Sequence, residues 1–168
     1  MANLQAVTKT DFAQKTWRRS GDYLFTANDS VCPLKAQELP QAMMCMPIGF
    51  TLTDGVYELM AIQGLQSNTN FYLDASGQWL GKYIPASYRS YPFLLANNEA
   101  DKDQMVLCIH GDCGLVTQDS ADELFFEESG ELGETLSEIL EFLSKANASL
   151  AATARICKSL QEHNLLKS

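Results

Sequence analysis

Leu136, Leu140, Leu143, Asn147, Leu150, Ala154 and Cys157 recur at alternating spacings of four and three, the period at which side chains line one face of an α-helix. Ile139 and Leu160 widen the stripe. No other feature limits the fold so strongly, because a helix of this length must lay its apolar stripe on a surface elsewhere in the molecule. From about Leu132 to Glu162 it would measure roughly 46 Å at 1.5 Å per residue, against a diameter of roughly 40 Å for a compact chain of this size. It either breaks near "KANAS", whose asparagine and serine are weaker helix formers, or runs on so that its end overhangs and meets a second copy. Small residues at 146, 148, 151, 152 and 154 suit close packing in the second case. With neither Gly nor Pro from Glu134 to Glu162, continuity is the expectation, and a homodimer through the C-terminal helix is one partner expectation.

Upstream of residue 119 the pattern is that of strands. From Val31 the chain reads as extended, and "KAQELPQAMMCM" then reads as a short helix near residues 38 to 45, with Pro40 in its first turn and Pro47 ending it. "PIGFTL" and "VYELMAIQGL" flank Thr53-Asp54-Gly55, a strong hairpin signal. "NFYL" and "QWLGKYI" flank Asp74-Ala-Ser-Gly77, and "YPFLLA" and "MVLCIH" enclose "NNEADKD". Three hairpins in succession predict an antiparallel meander. The fold class expected is therefore α+β, a β-meander sheet packed against the long amphipathic helix, as a single domain over residues 1–168. Between Gly111 and Glu131 no period is visible, and Phe125-Phe126 is expected to pin that loop to the core.

Composition excludes several function classes. A formal net charge of -9 argues against nucleic acid or an anionic membrane as partner, and no apolar run approaches the length that spans a bilayer. The start of the chain lacks the basic and apolar pattern of a secretion signal, which predicts a cytoplasmic protein. The five cysteines, at 32, 45, 108, 113 and 157, form no C-x-x-C pair, so reduced thiols are expected rather than a disulfide or zinc framework. Nine acidic residues lie between Asp119 and Glu141, while Lys9, Lys15, Arg18 and Arg19 crowd the first 19 positions. The acidic stretch is either a solvated face or a docking surface for a basic partner or for the chain's own N-terminus.

Catalytic constellations are scarce. His110, with Cys108 and Asp112, is the one arrangement resembling a nucleophile and base, but no third group is in sight to orient it, and Cys108, His110 and Cys113 lack the spaced pairs of a structural zinc site. His163 falls in the last helical turn, where a cation complements the dipole. Glycines form no phosphate cradle. No cofactor, metal or catalytic residue is expected. "YIPASYRSYPF", Tyr83 to Phe93, stands out instead: Pro85 and Pro92 interrupt any strand ladder, so "PASYRS" is expected to form a turn or one helical turn. Its tyrosines keep polar tips on apolar bodies, and Arg89 between Tyr88 and Tyr91 can stack on a ring or fork onto a carboxylate. It is either a packed corner or a recognition surface, with Trp79, Tyr83, Tyr88, Arg89 and Tyr91 as its binding residues.

At these residues the chain resembles the SapC family of bacterial proteins. The resemblance runs through "VCPLKAQELPQAMMCMPIGF", "LMAIQGL", "NFYLDASGQWLGKYIPASYRSYPF" and "GETLSEILEFL". Its specific part is the hairpin N-x-F/Y-x-D-x-x-G-x-W followed by Y-I/V-P-A and an arginine before Y-P-F, matched by Asn70, Asp74, Gly77, Trp79, Tyr83, Pro85, Arg89, Tyr91, Pro92 and Phe93. The resemblance implies an accessory role near nutrient receptors and modifying enzymes, or a surface-layer association, and carries over no catalytic residue. The functional expectation is a non-catalytic cytoplasmic binding or adaptor protein with a protein or peptide partner. The alternatives are a surface-layer or export component, and an enzyme with its site near His110.

Overall fold

The computed structural model describes residues 3–98 and 104–166. In chain order the elements are β1 (Leu4–Ala6), α1 (Lys9–Phe12), β2 (Thr16–Trp17), a 3-10 turn (Leu24–Thr26), β3 (Val31–Pro33), a second 3-10 turn (Ala36–Glu38) and α2 (Leu39–Ala42). They continue with β4 (Ile48–Thr53), β5 (Val56–Ile62), α3 (Ala86–Arg89), β6 (Phe93–Asn97), β7 (Met105–His110), β8 (Val116–Thr117), β9 (Glu123–Leu124), α4 (Glu134–Ala148) and α5 (Leu150–Glu162). The mixed α and β class with antiparallel pairing is as the sequence predicts. The strands sort into three small sheets, β1-β7-β6, β8-β2-β9 and β3-β5-β4, rather than one meander. Among the described residues no helix is long and apolar enough to cross a membrane.

The chain divides into two compact units, one formed by residues 1–21 and 90–145, the other by 22–89 and 146–168. In the first, β7 is the central strand, pairing Leu4 to His110 on one side and Phe93 to Ile109 on the other. Its consecutive Leu107, Cys108 and Ile109 are all buried, as a strand flanked on both edges and covered on both faces requires. Phe12, Trp17, Phe93, Phe125, Leu136 and Leu143 fill the core, with Phe12 4.7 Å from Phe125 and Trp17 4.7 Å edge-on to Phe93. Each such ring or branched side chain taken out of water contributes roughly 1.5–3 kcal/mol. Phe125 does pin its loop, which also carries two strands too short to show a period. β8 and β9 flank β2, and the Thr16 and Thr117 hydroxyls meet at 2.8 Å. The N-terminal cation Lys9 lies over the acidic turn at Gly130, its ammonium 2.8 Å from where a Cβ would stand. The loop expected at residues 97–103 falls mostly outside the described residues; Asn98 N–H closes onto the Gln104 carbonyl at 2.8 Å.

In the second unit Asp54 and Gly55, both at positive φ (51° and 80°), turn β4 back onto β5, the two-residue geometry that suits strand twist. β5 pairs also with β3, a partner more than 25 residues upstream. The second expected hairpin closes only as a single bridge between Leu73 and Trp79. α2 carries proline in its first turn, as expected, and "PASYRS" is the single helical turn α3.

The long helix does not run through. Ser149 interrupts it, at a place where side-chain hydroxyls bond the helix's own carbonyls. The Ser149 hydroxyl donates to the Ala146 carbonyl at 3.0 Å, the Thr153 hydroxyl donates to the Ser149 carbonyl at 2.8 Å, and Thr153 Oγ1 accepts from Ala36 N–H at 2.9 Å. Beyond the break Thr153 and Cys157 are buried, while Leu150 and Ala154 of the expected stripe are exposed.

Charge is uneven between the units. Residues 1–21 and 90–145 hold 14 acidic and 6 basic side chains, and the other unit holds 7 and 6. Almost all of the net charge of -9 therefore belongs to the first.

Candidate functional site

The second unit is organised around one buried carboxylate. Glu38, 4% exposed, closes the turn before α2 by accepting from Lys35 N–H at 2.9 Å. Its other oxygen accepts from the Tyr83 hydroxyl and from Ala86 N–H, each at 2.8 Å. A proline-bearing turn near residue 38 and the aromatic stretch near residue 86 are thus tied by one side chain. Three donors satisfy it, which a buried carboxylate demands. Burial pushes the Tyr83 hydroxyl up to about 12, with the bond to Glu38 as second cause.

The hairpin residues of the family pattern build the adjoining wall. Asp74 Oδ1 accepts from Ser76 N–H, the Ser76 hydroxyl and Gln78 N–H at 2.7–2.9 Å, and these bonds, the Ser76 side chain first, hold its carboxyl below the usual range. Gly77 sits at φ 82° to finish the turn. Asn70 donates to the Thr26 carbonyl and hydroxyl at 3.1 Å and accepts from Tyr72 N–H at 2.9 Å. Trp79 donates its indole N–H to the Tyr83 carbonyl at 2.9 Å. It stacks on Tyr72 at 5.4 Å and meets Tyr23 and Tyr88 edge-on at 5.8 Å.

Tyr88 is buried, its oxygen 2.9 Å from both Asp29 Oδ2 and Gln63 Oε1, and burial pushes its ionisation well upward. Beneath it Cys32 meets the Ser87 hydroxyl at 3.2 Å, and burial raises that thiol to about 11. Of the predicted binding residues Arg89 alone is exposed, its guanidinium carbon 5.6 Å from the centre of the Tyr83 ring. The structure thus brings Trp79, Tyr83, Tyr88 and Arg89 together. Tyr91 belongs to the other unit, half-buried with its ring 5.5 Å from His110.

The arrangement around His110 has little nucleophilic character. Burial raises the Cys108 thiol and lowers the His110 imidazole, so the thiolate a nucleophile needs is disfavoured. Asp112 is exposed and accepts from Asn3 Nδ2 at 3.2 Å. Among the described residues no three His, Cys, Asp or Glu side chains converge to hold a metal ion.

What the sequence reading did not single out is the outer surface of this corner. Leu65 (89% exposed), Met44 (81%), Phe71 (63%) and Leu80 (63%) all reach solvent. They border two grooves of about 310 and 380 Å³ that share Phe71 and Tyr72 as a common wall. Tyr72 is fixed there by its bond to the Cys45 carbonyl at 3.1 Å. The signal was present as runs of adjacent apolar residues, Met43-Met44, Phe71-Tyr72-Leu73 and Trp79-Leu80. Neighbours in a strand or tight turn point to opposite sides, so some of each run must face outward.

The model of the SapC family matches residues 7–168. The chain belongs to the SapC family. The match covers both units, so the buried Glu38 anchor and the exposed grooves are features of one SapC chain. Neither a curated protein nor a solved structure matches it.

Proposed function

We propose that this SapC protein is a non-catalytic, cytoplasmic binding or adaptor protein. Its grip is the face of the 22–89 unit where Trp79, Tyr83 and Tyr88 form a rigid base and Arg89 stands at the surface. The observation that carries the reading is the outward exposure of Met44, Leu65, Phe71 and Leu80 around two grooves, over a corner whose Glu38 carboxylate is fully hydrogen-bonded. Large apolar side chains gathered on a rigid surface are what an interface uses as anchors. Support for the cytoplasmic placement comes from the five cysteines, all free, the state expected of thiols in a reducing compartment.

The test is affinity purification of the full chain from its native host, with light scattering for mass and mass spectrometry for companions. A stoichiometric protein companion, lost in Phe71→Ala with Leu80→Ala while the melting temperature holds, supports the adaptor reading. A chain recovered alone overturns it. Recovery in a membrane or exported fraction overturns the cytoplasmic placement.

A further inference from the structure

We infer that the paired grooves take an extended peptide segment of a partner protein that combines apolar anchor residues with a carboxylate. The inference rests on the binding-protein reading above and adds the chemistry of the partner.

Twelve residues line the two grooves, and of these only Lys82 carries a formal charge; no aspartate or glutamate lies among them. In a unit that holds 7 acidic and 6 basic side chains, this leaves the grooves with one cation and no carboxylate. Lys82 is exposed at the rim of the larger groove beside Met44, Phe71 and Leu80, and among the described residues no carboxylate pairs with it. An ammonium at the mouth of an otherwise uncharged apolar site favours an anion next to the apolar anchors and repels a cation. The shape points to a chain segment. Two concavities on either side of Phe71 and Tyr72 receive two side chains of one extended strand, the mode by which grooves read peptides. A bilayer fits less well, because a plane of headgroups does not fill concave grooves and one lysine is far short of the basic cluster that holds a protein to anionic lipid.

The probe is a set of fluorescein-labelled nonapeptides with two leucine or phenylalanine anchors around a central Asp, Ser or Lys, titrated by anisotropy against the full chain. The Asp peptides are expected to bind best and the Lys peptides worst, with about a fivefold gain from Ser to Asp, the size of one exposed ion pair. Lys82→Glu is expected to reverse the order, and Phe71→Ala to weaken all binding by tenfold or more, as loss of a central anchor does. Both side chains are exposed, so the variants should fold, and unchanged far-ultraviolet circular dichroism verifies it. Binding indifferent to the central charge, or an order unaltered by Lys82→Glu, overturns the anion requirement. If no peptide binds while a host companion still depends on Phe71, the extended-segment occupant is overturned and the adaptor reading stands. Phe71-dependent sedimentation with phosphatidylglycerol vesicles, without peptide binding, overturns the inference in favour of a membrane surface.

Discussion

The Tyr83 hydroxyl donates to the buried Glu38 carboxylate at 2.8 Å across 45 residues of chain. The same oxygen accepts from Ala86 N–H, so one acceptor holds both the side chain of the tyrosine and the first turn of α3. Removing the acceptor leaves two buried donors and the Lys35 N–H without partners. Glu38→Ala should therefore cost about 3 kcal/mol or more, as expected for breaking a buried network with a charged member. Tyr83→Phe removes one donor and should cost about 1 kcal/mol. Urea denaturation of both single variants and the double variant measures this. A coupling below about 0.5 kcal/mol would mean that the contact does not hold the corner together.

Alkaline pH should unfold the 22–89 unit before its surface charges alone would. Cys32 is raised from 9.0 to about 11 and Tyr83 from 10.0 to about 12, both chiefly by burial. Between those limits the unfolded chain has lost protons that the folded chain keeps, so stability falls as pH rises. The contribution is complete below pH 9, declines first as Cys32 titrates and then from 10 to about 12 as Tyr83 does. Lys35, lowered by burial, acts in the opposite direction on the same limb with a single proton. Urea midpoints from pH 7 to 11.5 test it, and Tyr83→Phe should make the slope above pH 10 shallower without removing it, because Tyr88 is also raised by burial.

Two glycines should respond to alanine for different reasons. Gly55 has φ 80° in open space, so Gly55→Ala should cost only the left-handed backbone penalty, about 1–2 kcal/mol. At Gly64 a Cβ would stand 2.0 Å from the Thr69 carbonyl oxygen, and backbone has to move. Gly64→Ala should cost about 3 kcal/mol or more, in the range reserved for overpacking and strain, and should also distort the smaller groove, which Gly64 lines. Thermal melts that rank the two variants the other way would contradict the described loop.

Thiol reactivity should divide the five cysteines. Cys32, Cys108 and Cys157 are buried, and all three are shifted upward, chiefly by burial. Cys45 and Cys113 are only half-buried. Iodoacetamide at pH 7.5 under native conditions should label Cys45 and Cys113 and spare the other three until denaturant is added. Peptide mass spectrometry reads the pattern, and rapid labelling of Cys108 would revive it as a nucleophile beside His110.

What the sequence determined by itself is local. Asp54-Gly55 specifies a hairpin because its backbone must visit positive φ, Pro40 begins a helical turn because it needs no donor there, and Pro85 and Pro92 bracket "PASYRS" as a single turn. The four-three spacing after Leu136 specifies helix, and the sequence over residues 7–168 matches the SapC family. The tertiary structure decided everything that depends on distant partners. That β5 takes β3 as well as β4, that β1 closes onto β7, and that two-residue strands gather around Trp17 follow from burial and pairing over long separations, which no local period encodes. Just past the break at Ser149, Thr153 accepts from Ala36 N–H, over a hundred residues earlier. The aromatic stretch was legible as a cluster, but not its division into a buried base of Tyr83 and Tyr88 and an exposed Arg89. Phe71 and Leu80 became surface because Tyr72 and Trp79, their neighbours, occupy the inner side, and only packing chooses which member of an adjacent apolar pair goes in.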